Sequence, residues 1–212
     1  MDQAEAEARM REVQRIMERT TLYTLLPGMA AVLGGLLVLV GCAVSYAMIR
    51  SLDFKALVYR PLEEQWAFCI MWTVIGAAGF ALEVVLTARA AKRQGISPTA
   101  RPARFAAFSL TPGILTAMVL TVKLLMDSLR TAELIQYVVP SWMMCYGAGV
   151  YTAGLFSIRL PRLLGMAFIL AGAVALLCFP QYGVVSAALS FGLFHIVFGL
   201  IVVSRSRRSA AT

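Results

Sequence analysis

Six long, continuous apolar runs constrain this chain more than any other feature. They lie at 25–49, 66–88, 105–126, 137–156, 163–179 and 184–203. A run of about 18 or more apolar residues is long enough to cross a hydrocarbon layer roughly 30 Å thick. Backbone groups inside lipid must be satisfied within the chain, so only helices or closed barrels span it. The runs do not alternate apolar with polar residues, which favours helices. Composition agrees: 60% of residues are hydrophobic and 14% charged, against roughly 45–50% and 25% in soluble domains. The expected fold is therefore an all-α membrane protein with six transmembrane helices at 25–204. An amphipathic helix at 1–24 precedes it and a short basic tail, 205–212, follows. The fifth run is the shortest, and its length also suits a buried core helix.

Basic residues set the expected orientation. Arg9, Arg11, Arg15, Arg19, Arg89, Lys92, Arg93, Arg101, Arg104, Arg159, Arg162, Arg205, Arg207 and Arg208 flank the spans on one side; Arg50, Lys55, Arg60 and Arg130 flank them on the other. That bias of 14 to 4 places both termini in the cytoplasm of an inner (plasma) membrane. It also accounts for most of the net charge of +8. Nucleic-acid binding is not expected: the basic residues sit at helix ends, where anionic headgroups lie, and form no stripe interleaved with aromatics. The first run is read as a retained helix and not a signal peptide, since a charged segment precedes it and no small-residue cleavage site follows.

Residues 2–20 place Met10, Val13, Ile16 and Met17 at helical spacing, with Arg11, Arg15 and Arg19 on another face. Glu5–Arg9 and Glu7–Arg11 are acid-before-base i,i+4 pairs. Such a helix suits the membrane surface, the underside of the bundle, or docking of a second copy or a cytoplasmic protein. Gly95, Pro98 and Pro102 mark 89–104 as an irregular basic loop. Phe54, Leu57, Val58 and Tyr59 point to a short interfacial helix, and the minimal Pro180–Gly183 turn points to a tight final hairpin.

Few residues carry chemistry. Cys42, Cys69, Cys145 and Cys178 fall inside the spans with no metal-ligand spacing and read as buried free thiols. Ionisable groups within spans cost roughly 2.5–3.5 kcal/mol at the centre, so Glu83 and His195 are the candidate polar site. Glu83 lies about 9 Å to the cytoplasmic side of its helix midpoint. Gly76, Gly79 and Glu83 share a stripe expected to face a close helix contact. His195, the single histidine, continues a small-residue stripe with Ala188, Gly192 and Gly199 near mid-membrane. Such a stripe suits packing and a hydrogen bond to a Ser, Thr, Tyr or carbonyl group, with a proton relay as the alternative. Lys123 and Asp127 are an expected interfacial pair, about 20 Å in depth from Glu83. Gly147 and Gly154, like Gly192 and Gly199, are seven apart and are expected at helix contacts. Leu25–Gly28 and Leu110–Gly113, each ending in Pro-Gly, add a hint of a three-hairpin repeat, a pattern that the general abundance of glycine in membrane helices accounts for better.

Templates for zinc proteases, serine hydrolases, nucleotide loops and dinucleotide folds do not occur. One histidine without neighbouring Cys, Asp or Glu is a poor metal set. No enzyme activity, cofactor or metal is expected.

Gly165, Gly172, Pro180, Gly192 and Gly199 separate the apolar stretches of the last hairpin, about 165–199. In this spacing the hairpin resembles that of the HdeD-type acid-resistance membrane protein family. The resemblance implies six short helices, no catalytic residues and a role in envelope stress. The N-terminal helix and the 89–104 segment depart from that family's compact pattern. The whole chain also resembles bacterial six-helix membrane proteins without an assigned activity. Two readings follow: a non-enzymatic envelope-stress or regulatory bundle, or a small oligomeric transporter or channel using Glu83 and His195.

Overall fold

The computed structural model describes Glu5, Arg9 and residues 28–93, 101–155 and 159–209. The described residues are helical, with no strand among them. In chain order the helices are α1 (Gly28–Ile49), α2 (Lys55–Val58), α3 (Leu62–Arg93), α4 (Arg101–Ser128), a 3-10 turn (Ala132–Tyr137), α5 (Val138–Leu155) and α6 (Arg159–Cys178). Then α7 (Gly183–Ala187), a π-helical stretch (Ala188–Phe194) and α8 (His195–Ser209) run on from one another. Of the amphipathic segment at 2–20, only the Glu5–Arg9 pair lies within the described residues, bonded at 2.9 Å.

Five helical segments are long and apolar enough to cross a membrane: Gly28–Ile49, Leu62–Ala90, Phe108–Ser128, Arg159–Cys178 and Gly183–Ser206. The expected fourth span forms α5, but Pro140, Trp142, Tyr146, Tyr151 and its glycines dilute its apolar content. The fifth run, short by sequence, gains a turn at its start and becomes the 20-residue α6.

The segment expected as an irregular loop at 89–104 is largely helical. α3 runs on to Arg93 and α4 begins at Arg101, while 94–100 lies outside the described residues. Alanine, lysine and arginine at 88–93 are strong helix formers, and Pro102 is tolerated in a first turn. The 50–65 connection does form a short helix, α2, but it is not merely interfacial. Phe54 and Leu57 are buried, with Phe54 edge-on to Phe68 at 5.3 Å. The Val184 N–H donates to the Leu52 carbonyl at 3.2 Å, so this segment caps one end of the bundle.

Close helix approach is carried by glycines. A Cβ on Gly35 would lie 2.5 Å from the Gly192 carbonyl oxygen, and one on Gly28 2.6 Å from that of Gly199. These contacts bring α1 onto the α7–α8 rod. Between α5 and α6, a Cβ on Gly147 would come within 2.8 Å of Phe168 Cβ, and one on Gly154 within 2.7 Å of the Arg162 backbone nitrogen. Gly113 of α4 meets the Cys145 carbonyl in the same manner. The tight turn before Gly183 therefore does not make α6 and α8 each other's main partner. α6 packs on α5 and α8 packs on α1. The glycines sit on those two faces, and Phe168 bridges the layers.

Two indoles fasten helix pairs. Trp72 Nε1 of α3 donates to Ser45 Oγ of α1 at 3.0 Å. Trp142 Nε1 of α5 donates to Thr121 Oγ1 of α4 at 2.7 Å, and that hydroxyl in turn donates to the Ala117 carbonyl. Inside an apolar layer an indole N–H without an acceptor is costly, so each bond fixes the rotation of two helices.

Candidate functional site

The strongest polar feature in the apolar layer is a hydrogen bond between Tyr146 of α5 and His195, the first residue of α8: phenol oxygen to Nε2, 2.8 Å. Phe168 of α6 is fully buried and meets the Tyr146 ring at 5.1 Å and the His195 ring at 5.3 Å, both edge-on. Phe191 stacks on His195 at 6.2 Å and tilts against Tyr146 at 5.5 Å. Gly147 makes this possible, because a side chain there would displace Phe168. Edge-on ring pairs contribute beyond their buried area.

The π-helical stretch ends against His195. The His195 Nδ1 is buried and has no hydrogen-bond partner. The two nitrogens are linked through the tautomer: with the Tyr146 hydroxyl donating to Nε2 the ring proton sits on Nδ1, and with Nε2 donating to the phenol oxygen Nδ1 carries the lone pair. The partner of one ring nitrogen thus sets the state of the other. π-Turns of this kind recur at functional sites.

Glu83 is exposed on α3. Its hydrogen bond comes from the Thr87 hydroxyl at 3.5 Å. The expected close helix contact along its stripe is absent: a Cβ on Gly76 or Gly79 would meet nothing within 4 Å. Periodicity identifies which residues share a face, but it does not bring a neighbouring helix to that face. Gly192 and Gly199 differ, lying against Leu39 and against Gly28 and Val32 of α1.

Lys123 Nζ and Asp127 Oδ1 pair at 2.8 Å near the C-terminal end of α4. All four cysteines are free; Cys42 is buried, Cys69 and Cys145 are partly so, and Cys178 is exposed at the end of α6, against the expectation of burial. Among the described residues no group of three or more His, Cys, Asp or Glu is placed to hold a metal.

A second ion pair lies outside the spans. Lys55 Nζ of α2 contacts Glu133 Oε1 of the 3-10 turn at 2.9 Å. The hydrogen bond to Glu133 and its charge raise the Lys55 pKa; the hydrogen bond from Lys55 lowers that of Glu133. This pair ties the 50–61 connection to the 129–137 connection.

Sequence reasoning singled out His195 and Glu83 but missed Tyr146, Trp72 and Trp142. The available signal was an aromatic residue with a polar tip in mid-span, beside a glycine in the case of Tyr146. Comparison of the chain with protein-family profiles, characterised proteins and solved structures finds no match.

Proposed function

We propose a six-span protein of the bacterial inner (plasma) membrane, with both termini in the cytoplasm, that acts by interaction and not by catalysis. Its role is regulatory or in envelope stress, and the 2–20 segment is its handle for a cytoplasmic protein or a second copy. The observation that carries this reading is the closed Tyr146–His195 pair. Its hydroxyl and Nε2 are committed to each other at 2.8 Å inside an aromatic wall, which suits a lock between helices better than a reacting group. The 14-to-4 basic bias supports the orientation, and the glycine spacing of the last hairpin supports the envelope-stress role.

The test is a cell that makes the chain without residues 2–18. Normal insertion, with an envelope-stress phenotype equal to loss of the whole protein, is the expected result. Normal survival of stress would overturn the interaction reading.

A second reading, an oligomeric transporter or channel using Glu83 and His195, is favoured by one observation: Glu83 stands exposed within a span with no ion-pair partner among the described residues. Purified protein in sealed liposomes decides between them. Cation or proton flux that disappears in Glu83→Gln would establish transport and displace the first reading.

A further inference from the structure

α4 and α5 leave a groove between them at the end of the bundle where α4 begins. Phe108, Pro112 and Gly113 of α4 form one wall and Ala148, Gly149 and Thr152 of α5 the other, around a volume of about 410 Å³. Its floor is set by close approach of the two backbones. A Cβ on Gly113 would strike the Cys145 carbonyl, and one on Gly149 would lie 3.1 Å from Leu110 Cα. Phe108, Pro112, Ala148 and Thr152 are exposed along its rim. The Thr152 hydroxyl is turned back on its own helix, donating to the Ala148 carbonyl at 2.8 Å. The groove therefore offers mostly hydrocarbon, at the margin of the Phe108–Ser128 span.

The same face of α4 continues into charge. Arg101, Arg104, Phe108 and Pro112 recur at i, i+3, i+7 and i+11, which is one stripe of a helix. Arginine thus follows the groove outward from the apolar layer. From 84 to 122 and from 134 to 212 the chain carries five basic residues each and no Asp or Glu, so these ten charges have no carboxylate partner within those stretches. Arg162 Nε, in the side chain that packs beside Gly154 near the close of α5, is buried with no hydrogen-bond partner. A buried N–H in that state costs free energy until an acceptor reaches it.

A groove that is apolar along its length and cationic at its mouth matches one class of molecule in a bilayer, an acidic phospholipid, which joins a hydrocarbon chain to a phosphate. A helix from a second copy is a poorer occupant. Copies inserted in one orientation would bring arginine stripe beside arginine stripe, and like charges so placed are costly.

We propose that the α4–α5 groove binds an anionic glycerophospholipid, with one acyl chain along Gly113 and Gly149 and the phosphate at the Arg101–Arg104 turn. The lipid fills the seam that Trp142 and Thr121 close further along, and so adds to the hold of α4 on α5. The inference rests on the membrane reading above and on no particular role within it.

The experiment uses the full chain, purified in neutral detergent and titrated with palmitoyl-oleoyl phosphatidylglycerol, with retained lipid counted by native mass spectrometry. Saturable retention is expected, with phosphatidylcholine of the same chains weaker by about tenfold or more. Arg101→Gln with Arg104→Gln should lose that preference. Arg205→Gln with Arg207→Gln, equal in charge and at the same end, should keep it. Ala148→Phe places a ring in the groove and should weaken binding of both lipids with the melting temperature unchanged, since Ala148 is exposed. Displacement by inorganic phosphate, equal loss in the two arginine pairs, or full binding by Ala148→Phe would each overturn the proposal. A dimer abolished by Ala148→Phe would give the groove to a second copy and overturn it too. A chain that inserts into liposomes yet shows no lipid preference would overturn this inference alone, whereas one that stays in solution without lipid or detergent would remove the reading it rests on.

Discussion

A double-mutant cycle on Tyr146 and His195 tests whether their hydrogen bond locks the helices. Tyr146→Phe keeps the ring and its 5.1 Å contact with Phe168, so its cost isolates the hydroxyl. That change leaves His195 Nε2 buried without a partner, worth about 1–3 kcal/mol in general. Side-chain hydrogen bonds within membranes average about 0.6 kcal/mol and reach about 1.7 kcal/mol, and the aromatic enclosure places this one toward the upper end. His195→Leu should cost more, because it leaves the phenol unpaired and also removes the ring between Phe168 and Phe191. The double variant leaves neither group orphaned. Its loss should fall short of the sum of the single losses by about 1 kcal/mol, beyond the roughly 0.3–0.5 kcal/mol scatter of independent sites. Reversible unfolding in mixed micelles, followed by the fluorescence of Trp66, Trp72 and Trp142, measures all four proteins. Additive losses would refute the reasoning and reduce the 2.8 Å contact to proximity.

Leucine substitutions should separate the packed glycines from the open one: Gly35→Leu collides with the Gly192 carbonyl and should cost about 1–3 kcal/mol or more by overpacking, whereas Gly76→Leu should melt like the parent; equal losses would argue against the described packing of α1 on α8. The Lys55–Glu133 pair should be intact between the ordinary glutamate and lysine ranges. The raised Lys55 pKa means its contribution is present at lower pH and lost as pH rises through the folded lysine value. The lowered Glu133 pKa means its contribution is lost as pH falls through the folded carboxyl value. Both groups are solvent-exposed, so a melting-temperature difference between parent and Glu133→Gln should be small, shrink in salt and vanish in acid; a difference that persists in acid would point to packing instead of charge. Cysteines introduced singly at 90 and 92 should resist impermeant maleimide in intact cells and react after permeabilisation; labelling from outside would reverse the assigned orientation.

The apolar runs were legible because burial in lipid requires long uninterrupted stretches, and helices at those positions follow. Their ends were less legible. Leu62–Gln65 and Ala88–Arg93 contain charged or polar residues that break the apolar signal, yet helix propensity carries α3 through them. His195 was visible as a solitary ionisable group on a small-residue face, while its partner was not, since a tyrosine in a span gives no sign of which helix lies opposite. The stripe of Gly76, Gly79 and Glu83 looked like that of Gly192, His195 and Gly199, and the two have opposite surroundings. Local spacing is the same for a face that meets a helix and a face that meets open space. The π-helical stretch had no sequence signature, because Ala188–Phe194 reads as part of one continuous apolar run.

That stretch sets the phase of everything after it. A π-turn holds one residue more than the α-turn it replaces, so deleting one residue within Ala188–Phe194 would restore a regular α-helix and turn the following segment by about 100°. His195 would swing away from Tyr146, and Gly199 would leave the groove it shares with Gly28 on α1. The rod of α7 and α8 thus works as a two-part key: the outer half is cut to fit the cap formed by Leu52 and Phe54, the inner half to fit α1, and the single surplus residue between them keeps both halves in register with their separate locks.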